Sequence, residues 1–369
     1  MKKKNQLRTL FVAASIAGGA LFYLKSSDDD IGVDPTKRQP VVVSENQILP
    51  TTIDKRIVTM NALSTSRPET LPKDPSDTAE IVFTAPWGDG PGQLGRHMPD
   101  EGAPEGPMSF VVDDKGRYLV LDQVNSRIQI FEPGKHPRSI VLSGNTFQDL
   151  VLDGAGNPLL LDRLGRASIT RLDPDGKYLG ELDLIGPDIP EGGMITGMFA
   201  QEDGIWVEVQ HRRLVRVADA DGNPDPERPA VEGRFTEDGA WLLTAALERP
   251  NGAAVFRQSI GNEPNRQALL ARVRFPDRVG HLLTLASDAT GRVFLAAHLV
   301  QSREVSPFDV VASREEVVIL ADDGTELERR SLPTADGAVE QFRSIAVAPD
   351  GSISQLLLDE NGATMRRWM

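Results

Sequence analysis

The sequence has no cysteine among its 369 residues, so it forms no disulfide bond and carries no lipid on a cysteine. Aromatic residues are scarce at 5%, whereas 33 glycines and 26 prolines interrupt runs of Leu, Val and Ala, as many short strands with frequent turns require. Positive charge is in the minority. A net charge of −14 argues against a nucleic-acid surface and against broad adhesion to anionic lipid.

A long charge-free apolar run occurs at the N-terminus. Lys2–Lys4 and Arg8 precede Thr9–Leu24, an order typical of an export signal or a membrane anchor with the rest of the chain outside the cytoplasm. As a helix this run would span roughly 24 Å, short of the roughly 30 Å hydrocarbon core. Gly18–Ala20 could be a cleavage site, although cleavage there would leave an apolar new terminus.

We therefore expect residues 1–25 to be an uncleaved signal-anchor, with a cleaved signal and a secreted product as the alternative. The predicted location is extracytoplasmic: the periplasmic side of a bacterial inner membrane, with membrane contact through residues 9–24 only. Absence of disulfides is compatible with this location, because a domain of about 290 residues can bury a sufficient core of its own.

Residues 26–78 differ in composition from the rest of the chain. They contain Asp28–Asp30 and six prolines, with few aromatic residues and no sustained period. Such a segment cannot bury enough apolar area to offset its ordering entropy. We predict a disordered linker at 26–78 and a folded domain at 79–369.

The first part of the folded domain has the clearest pattern. Four short apolar runs are separated by turn residues, which predicts consecutive antiparallel strands. The runs are Ile81–Phe83, Phe110–Val112, Tyr118–Leu121 and Ile128–Phe131.

The residue types in this stretch are also specific. It contains Trp87-Gly88, Gly90-Pro-Gly-Gln93, Asp114-Lys-Gly116, Leu121-Asp122 and Arg127-Ile-Gln-Ile-Phe131. About fifty residues resemble the NHL repeat, with later copies more divergent. The resemblance implies an all-β fold, a six-bladed β-propeller of four-stranded antiparallel blades.

A propeller requires the unit to recur, because one blade cannot bury its faces alone. Glycines flanked by apolar runs recur at intervals from 39 residues (252 to 291) to 60 residues (291 to 351), and we assign each to the turn between first and second strands. They are Gly116, Gly156, Gly204, Gly252, Gly291 and Gly351. Six such turns predict six blades, and we attribute the longest interval to a polar insert at 301–313.

The two ends of the domain complement each other. Ser344–Ala348, Ile353–Leu358 and Thr364–Trp368 give only three strands for the last blade, and Ile81–Trp87 is left over at the front. We predict that the N-terminal strand completes the last blade, since closure of the ring removes free sheet edges.

Some relatives within the family that this chain resembles are enzymes. Lyase relatives hold zinc with histidines at the top of the tunnel, and gluconolactonase-like relatives bind a divalent cation there. His281 and Asp149 are the candidates at tunnel-facing positions, but three converging ligands are not apparent. Asp219-x-Asp221-Gly-Asn-x-Asp225 is similar to a calcium loop, although turn chemistry explains it better. We therefore predict no cofactor, with Ca or Zn as the alternative.

The main functional hypothesis is a non-catalytic interaction module that binds a protein, or else a polysaccharide, through loops on one face. The alternative is a metal-dependent lyase or lactonase with its site at the tunnel mouth. The longest loops supply the candidate binding residues. These are Arg96, His97, Glu101, Asp188, Glu191, Arg303, Glu304 and Asp309.

Overall fold

A computed structural model describes residues 79–101, 103–260, 267–302, 310–334 and 339–369. The predicted N-terminal segment and linker, at 1–78, lie outside these residues. No helix within the described ranges is long and apolar enough to cross a membrane.

The described chain folds into six four-stranded antiparallel sheets, as the alternation of short apolar runs with turns predicts. Blade 1 consists of β2 (Ser109–Val112), β3 (Tyr118–Asp122), β4 (Arg127–Phe131) and β5 (Arg138–Val141). Blade 2 consists of β6 (Asp149–Leu152), β7 (Pro158–Asp162), β8 (Ser168–Leu172) and β9 (Tyr178–Asp183). Blade 3 consists of β10 (Ile195–Gln201), β11 (Gly204–Val209), β12 (Arg213–Asp219) and β13 (Ala230–Glu232). Blade 4 consists of β14 (Arg234–Phe235), β15 (Trp241–Arg249), β16 (Gly252–Ser259) and β17 (Ala268–Arg274). Blade 5 consists of β18 (Arg278–Ser287), β19 (Val293–Ser302), β20 (Val310–Leu320) and β21 (Glu326–Leu332). Blade 6 consists of β22 (Ile345–Val347), β23 (Ile353–Leu358), β24 (Gly362–Trp368) and the N-terminal strand β1 (Glu80–Pro86).

The first strand of each blade is the innermost one. Strands β2 and β10 both contact β6, and β14 and β22 both contact β18, so the first strands line a central tunnel while the fourth strands form the rim. Apolar clusters fill the spaces between neighbouring blades, for example between blades 2 and 3. The six-bladed β-propeller is confirmed.

The predicted ring closure is also confirmed. Strand β1 pairs antiparallel with β24, from Glu80 opposite Arg367 to Pro86 opposite Gly362. Phe83 of this closing strand stacks on Phe131 of blade 1 at a ring-centroid distance of 3.8 Å. The N-terminal strand therefore joins the last blade to the first through both hydrogen bonds and packing.

The two faces of the disc carry different loops. The antiparallel order places the inter-blade connectors and the hairpins between second and third strands on one face, which we call the connector face. The other face, the turn face, carries the turns between first and second strands and between third and fourth strands. The long loops at 96–107 and 186–193 are both on the connector face.

The predicted register of blade 4 was wrong by one strand. Gly252 begins β16, so it follows the hairpin between the second and third strands. Gly239, with φ of +66°, instead occupies the turn between the first and second strands, where its N–H donates to the Thr236 carbonyl at 2.8 Å. The first strand, β14, has only two residues, too short for a recognisable apolar run.

The predicted insert in blade 5 is partly strand. Gln301 and Ser302 end β19, and Val310–Ser313 begin β20, so the long interval comes from an extended hairpin as well as its tip. The tip, 303–309, lies outside the described residues. It contains three of the predicted binding residues, Arg303, Glu304 and Asp309, whose placement stays a prediction.

Candidate functional site

The tunnel contains a cavity of about 240 Å³ on the side of blades 3 to 6. Its walls are the first strands β10, β14, β18 and β22 and the connector that leads into blade 6. The lining mixes apolar and polar side chains, among them Phe199, Arg234, Leu283, Gln341, Arg343 and Ser344.

Asp149 lies at the tunnel mouth and is fully buried. Its two carboxylate oxygens accept hydrogen bonds from Arg343 Nε at 3.1 Å and Nη2 at 2.7 Å, and Oδ1 also accepts the Leu150 N–H. Arg343 Nη2 donates further to the Met198 carbonyl at 3.1 Å. Burial by itself would lower the pKa of Arg343, but the charge and hydrogen bonds of Asp149 raise it. This pair connects the connector before blade 6 with blades 2 and 3.

A second buried ion pair lies beside the first. Glu208 accepts hydrogen bonds from Arg234 Nε at 2.6 Å and Nη2 at 2.8 Å, and from Thr196 Oγ1 at 3.0 Å. Burial acts to raise the pKa of Glu208, but Arg234 outweighs it and holds the pKa below the ordinary value. The guanidinium groups of Arg234 and Arg343 lie 5.4 and 5.8 Å from the ring centroid of Phe199. Both carboxylates at the tunnel mouth are thus bound to arginines.

Three of the five histidines approach the tunnel mouth. His281 on β18 and His298 on β19 are cross-strand partners, with their rings stacked at 5.0 Å. Burial lowers the pKa of both imidazoles, which favours the neutral form. His211, at the tip of the β11–β12 hairpin, has its Nδ1 3.7 Å from Glu208 Oε2. Among the described residues, no three or more His, Cys, Asp or Glu side chains form a group suited to holding a metal ion.

Sequence reasoning found Asp149 and His281 but missed their partners. His298 could have been found from the strand register, because it lies directly opposite His281. No comparable signal exists for Arg343 or Arg234, whose carboxylate partners belong to other blades.

A half-buried carboxylate, that of Glu315, lies between blades 5 and 6. Glu315 Oε2 accepts a hydrogen bond from Gln355 Nε2 at 2.7 Å, and Gln355 Nε2 also donates to the Pro333 carbonyl at 2.8 Å. Burial raises the pKa of Glu315 to about 7, and the hydrogen bond from Gln355 opposes this shift only in part. Glu315 is therefore a group that titrates near neutrality.

The acidic loop at 219–225 has the contacts of a turn. Asp219 Oδ1 accepts the Asn223 N–H at 2.8 Å, and Asp225 Oδ2 accepts Arg216 Nε at 2.8 Å. Hydrogen bonds from Asn223 lower the pKa of Asp219, and that from Arg216 lowers the pKa of Asp225.

The predicted binding residues that the structure describes all lie on the connector face, in different settings. The guanidinium of Arg96 lies 5.5 Å from the Trp87 ring centroid, and His97 pairs through its backbone with Glu105. Asp188 accepts a hydrogen bond from Arg213 Nη1 at 2.8 Å. Glu101 and Glu191 are exposed. These residues lie in two separate connectors, β1–β2 and β9–β10, and do not converge on one point.

The connector face also exposes large apolar side chains. Leu164 in a hairpin tip is 66% exposed, and Met98 and Ile185 in connectors are 59% and 49% exposed. Val141 and Leu247, near the ends of β5 and β15, add to this set. Most other exposed large apolar side chains lie on the outermost strands, around the rim.

The chain is similar to several solved structures at 11 to 14% sequence identity. No family model and no curated protein matches the chain. Similar solved structures include a DUF4221 family member from Bacteroides vulgatus (11% identity over 78% of this chain and 97% of that one, TM-score 0.45). Others are a gluconolactonase from Xanthomonas campestris (14%, 78% and 98%, 0.42) and a virginiamycin B lyase from Staphylococcus aureus (12%, 72% and 95%, 0.41). At these TM-scores they add nothing to the strand order, and the activities in their names are those of the other proteins.

Proposed function

We propose that this chain is a non-catalytic interaction module outside the cytoplasm, anchored through its N-terminal segment, which binds a protein partner through the connector face. The observation that carries this proposal is the set of exposed apolar side chains on that face, including Leu164, Met98 and Ile185. Apolar side chains that become buried at the core of an interface contribute to protein–protein affinity. They favour a protein partner over the polysaccharide that the sequence leaves as an alternative.

The state of the tunnel mouth supports a binding role as well. Asp149 and Glu208 are each held by an arginine fork, and such pairs brace the scaffold that presents the loops. Loops on a rigid scaffold are common carriers of binding residues.

Site-specific photo-crosslinking in cells that make the full chain tests the proposal. A photo-reactive amino acid at Leu164 should give an adduct of discrete mass, whereas the same group at Leu327, on a rim strand and 55% exposed, should give none. Excess unlabelled protein should compete the adduct away. Equal labelling at both positions, or no adduct at Leu164, would refute the use of the connector face.

The second candidate function is a metal-dependent lyase or lactonase acting at the tunnel mouth. His211 Nδ1 lies 3.7 Å from Glu208 Oε2, and the stacked pair of His281 and His298 lies near His211, which favours it. Elemental analysis after dialysis separates the two functions. Stoichiometric Zn or Ca that is lost on His281→Ala, but retained on His136→Ala in a turn of the opposite face, would favour the enzyme over the binding role.

A further inference from the structure

One corner of the connector face is basic although the protein as a whole is acidic. Arg249, Arg274 and Arg278 surround the tip of the β15–β16 hairpin: Arg249 and Arg274 both pair with Gly252, and the residue after Arg278 donates its N–H to the Pro250 carbonyl at 2.7 Å. All three side chains are exposed. None forms an ion pair with another residue of the described ranges.

Another side of the same face is acidic. The connector from β1 into blade 1 exposes Asp100, Glu101 and Glu105. Within the described chain these carboxylates also form no ion pair. The acidic connector runs from blade 6 into blade 1 and the basic corner belongs to blades 4 and 5, so the two lie on different sides of the tunnel mouth.

On the connector face, the hairpins also become taller from the acidic side to the basic side. On blade 1, β3 has five residues, whereas β15 on blade 4 has nine and β19 on blade 5 has ten. The turns before β3 and β15 are equivalent, because Gly116 N–H donates to the Asp113 carbonyl at 3.0 Å and Gly239 N–H to the Thr236 carbonyl at 2.8 Å, so the extra length of β15 projects from the connector face. Four extra residues at about 3.3 Å each give a difference of about 13 Å.

We propose that two copies of this chain associate connector face to connector face around a two-fold axis that lies in the plane of the face. With the axis perpendicular to the line from the acidic connector to the basic corner, the rotation places each acidic connector over the basic corner of the other copy. It also places the tall β15–β16 hairpin of blade 4 over the lower hairpins of the facing copy. The inference rests on the proposed use of the connector face, and it names the partner as a second copy.

The choice of a second copy follows from self-complementarity. A two-fold interface uses the same surface of both subunits, so one chain must carry both halves of each contact. This face carries separate positive and negative poles, together with a high and a low side, and exposed Leu247 lies beside the basic corner. The positive pole consists of arginines, whose planar forks bind carboxylates in a bidentate manner. An unrelated acidic partner would need only the basic corner and would leave the acidic connector unused.

A charge-swap experiment on the full chain in detergent tests the dimer, with sedimentation velocity at low salt as the measurement. Arg249→Glu with Arg274→Glu reverses the basic corner, and Glu101→Arg with Glu105→Arg reverses the acidic connector. Each double variant alone should dimerise at least about tenfold more weakly, because like charges then meet at two places. An equimolar mixture of the two should dimerise again, since opposite charges meet at both places in the mixed pair. Recovery on mixing would also show that both variants are folded.

Arg138→Glu with Lys177→Glu is the matched control, because it makes the same change in charge on the turn face and should leave the dimer intact. A wild-type chain that stays monomeric, a mixture that fails to recover, or an equal effect of the control would overturn the inference. If the chain is monomeric but Leu164 still crosslinks to a different protein, the inference fails while the proposed function stands. If Leu164 gives no adduct and the chain is monomeric, both fail.

Discussion

Removal of the Asp149 carboxylate should destabilise the whole propeller. The Asp149→Ala substitution leaves the Arg343 guanidinium at the tunnel mouth without its two strongest hydrogen bonds, at 3.1 and 2.7 Å. The Arg343 side chain is 25% exposed, so water can replace only part of this interaction. Breaking a buried ion pair from one side costs about 3 to 5 kcal/mol. Because Arg343 keeps some contact with water, we expect a loss of about 3 kcal/mol in the free energy of unfolding.

Urea denaturation at pH 7 measures this loss, and a double-mutant cycle assigns it to the pair. Arg343→Met alone should also destabilise, because it leaves the fully buried Asp149 charged and without its cation. The double variant Asp149→Ala with Arg343→Met buries no unpaired charge. It should therefore be more stable than the sum of the single losses by at least about 2 kcal/mol.

The pair between Asp350 and Arg367 is the control. It has a similar distance of 2.9 Å, but its side chains are 51% and 31% exposed. Asp350→Ala should cost less than about 1 kcal/mol. Equal losses for Asp149→Ala and Asp350→Ala, or strict additivity in the double-mutant cycle, would show that Arg343 does not brace the tunnel mouth.

Three further perturbations test the ring, a turn and the Glu315 carboxylate. Deletion of Glu80–Pro86 should abolish cooperative unfolding in circular dichroism because it removes the strand that closes blade 6, whereas loss of the exposed Met369 should have little effect. Gly204→Ala should cost several-fold more stability than Gly116→Ala, since a Cβ at 204 would lie 2.1 Å from the Ala218 carbonyl oxygen and one at 116 would meet nothing within 4 Å; equal losses would contradict this. Burial raises the pKa of Glu315 to about 7, so the folded state holds this proton more tightly than the unfolded state does, and stability should fall as pH rises from about 5 to about 7, by at most about 1.4 kcal/mol per unit. Glu315→Gln should remove that slope from the pH dependence of the urea midpoint, and an unchanged slope would exclude Glu315 as its source.

Most of the fold was predictable because the signals that set it are local. Short apolar runs, Asp-Gly turns and their repetition are properties of neighbouring residues, and they specified five of the six blades. The ring closure was predictable for a different reason: three strands at the end of the chain and one unpaired strand at its start leave a single arrangement without free edges. Blade 4 escaped this reasoning because its first strand, Arg234–Phe235, is two residues long and has no period.

The tunnel mouth was much less predictable, because its contacts join distant parts of the chain. Asp149 and Arg343 are 194 residues apart, and no spacing rule connects them. Asp149 could be placed near the mouth, since the start of a first strand always lies there, but its partner comes from an irregular connector. From its position alone, Asp149 was a candidate metal ligand. The structure shows that its carboxylate instead forms an ion pair with Arg343.

The brace at the tunnel mouth also determines which part of the connector face is available for binding. Arg343 and Arg234 satisfy the carboxylates of Asp149 and Glu208, so the charges in the middle of the face are internally compensated. The exposed carboxylates of the 96–107 connector and the arginines around the β15–β16 hairpin have no such partners among the described residues. Because a charge contributes to recognition chiefly where it is not already neutralised within its own protein, a partner of this face should be selected by these uncompensated charges. This is the reason that the charge-swap variants, which leave the tunnel mouth untouched, should change association without changing the stability of the propeller.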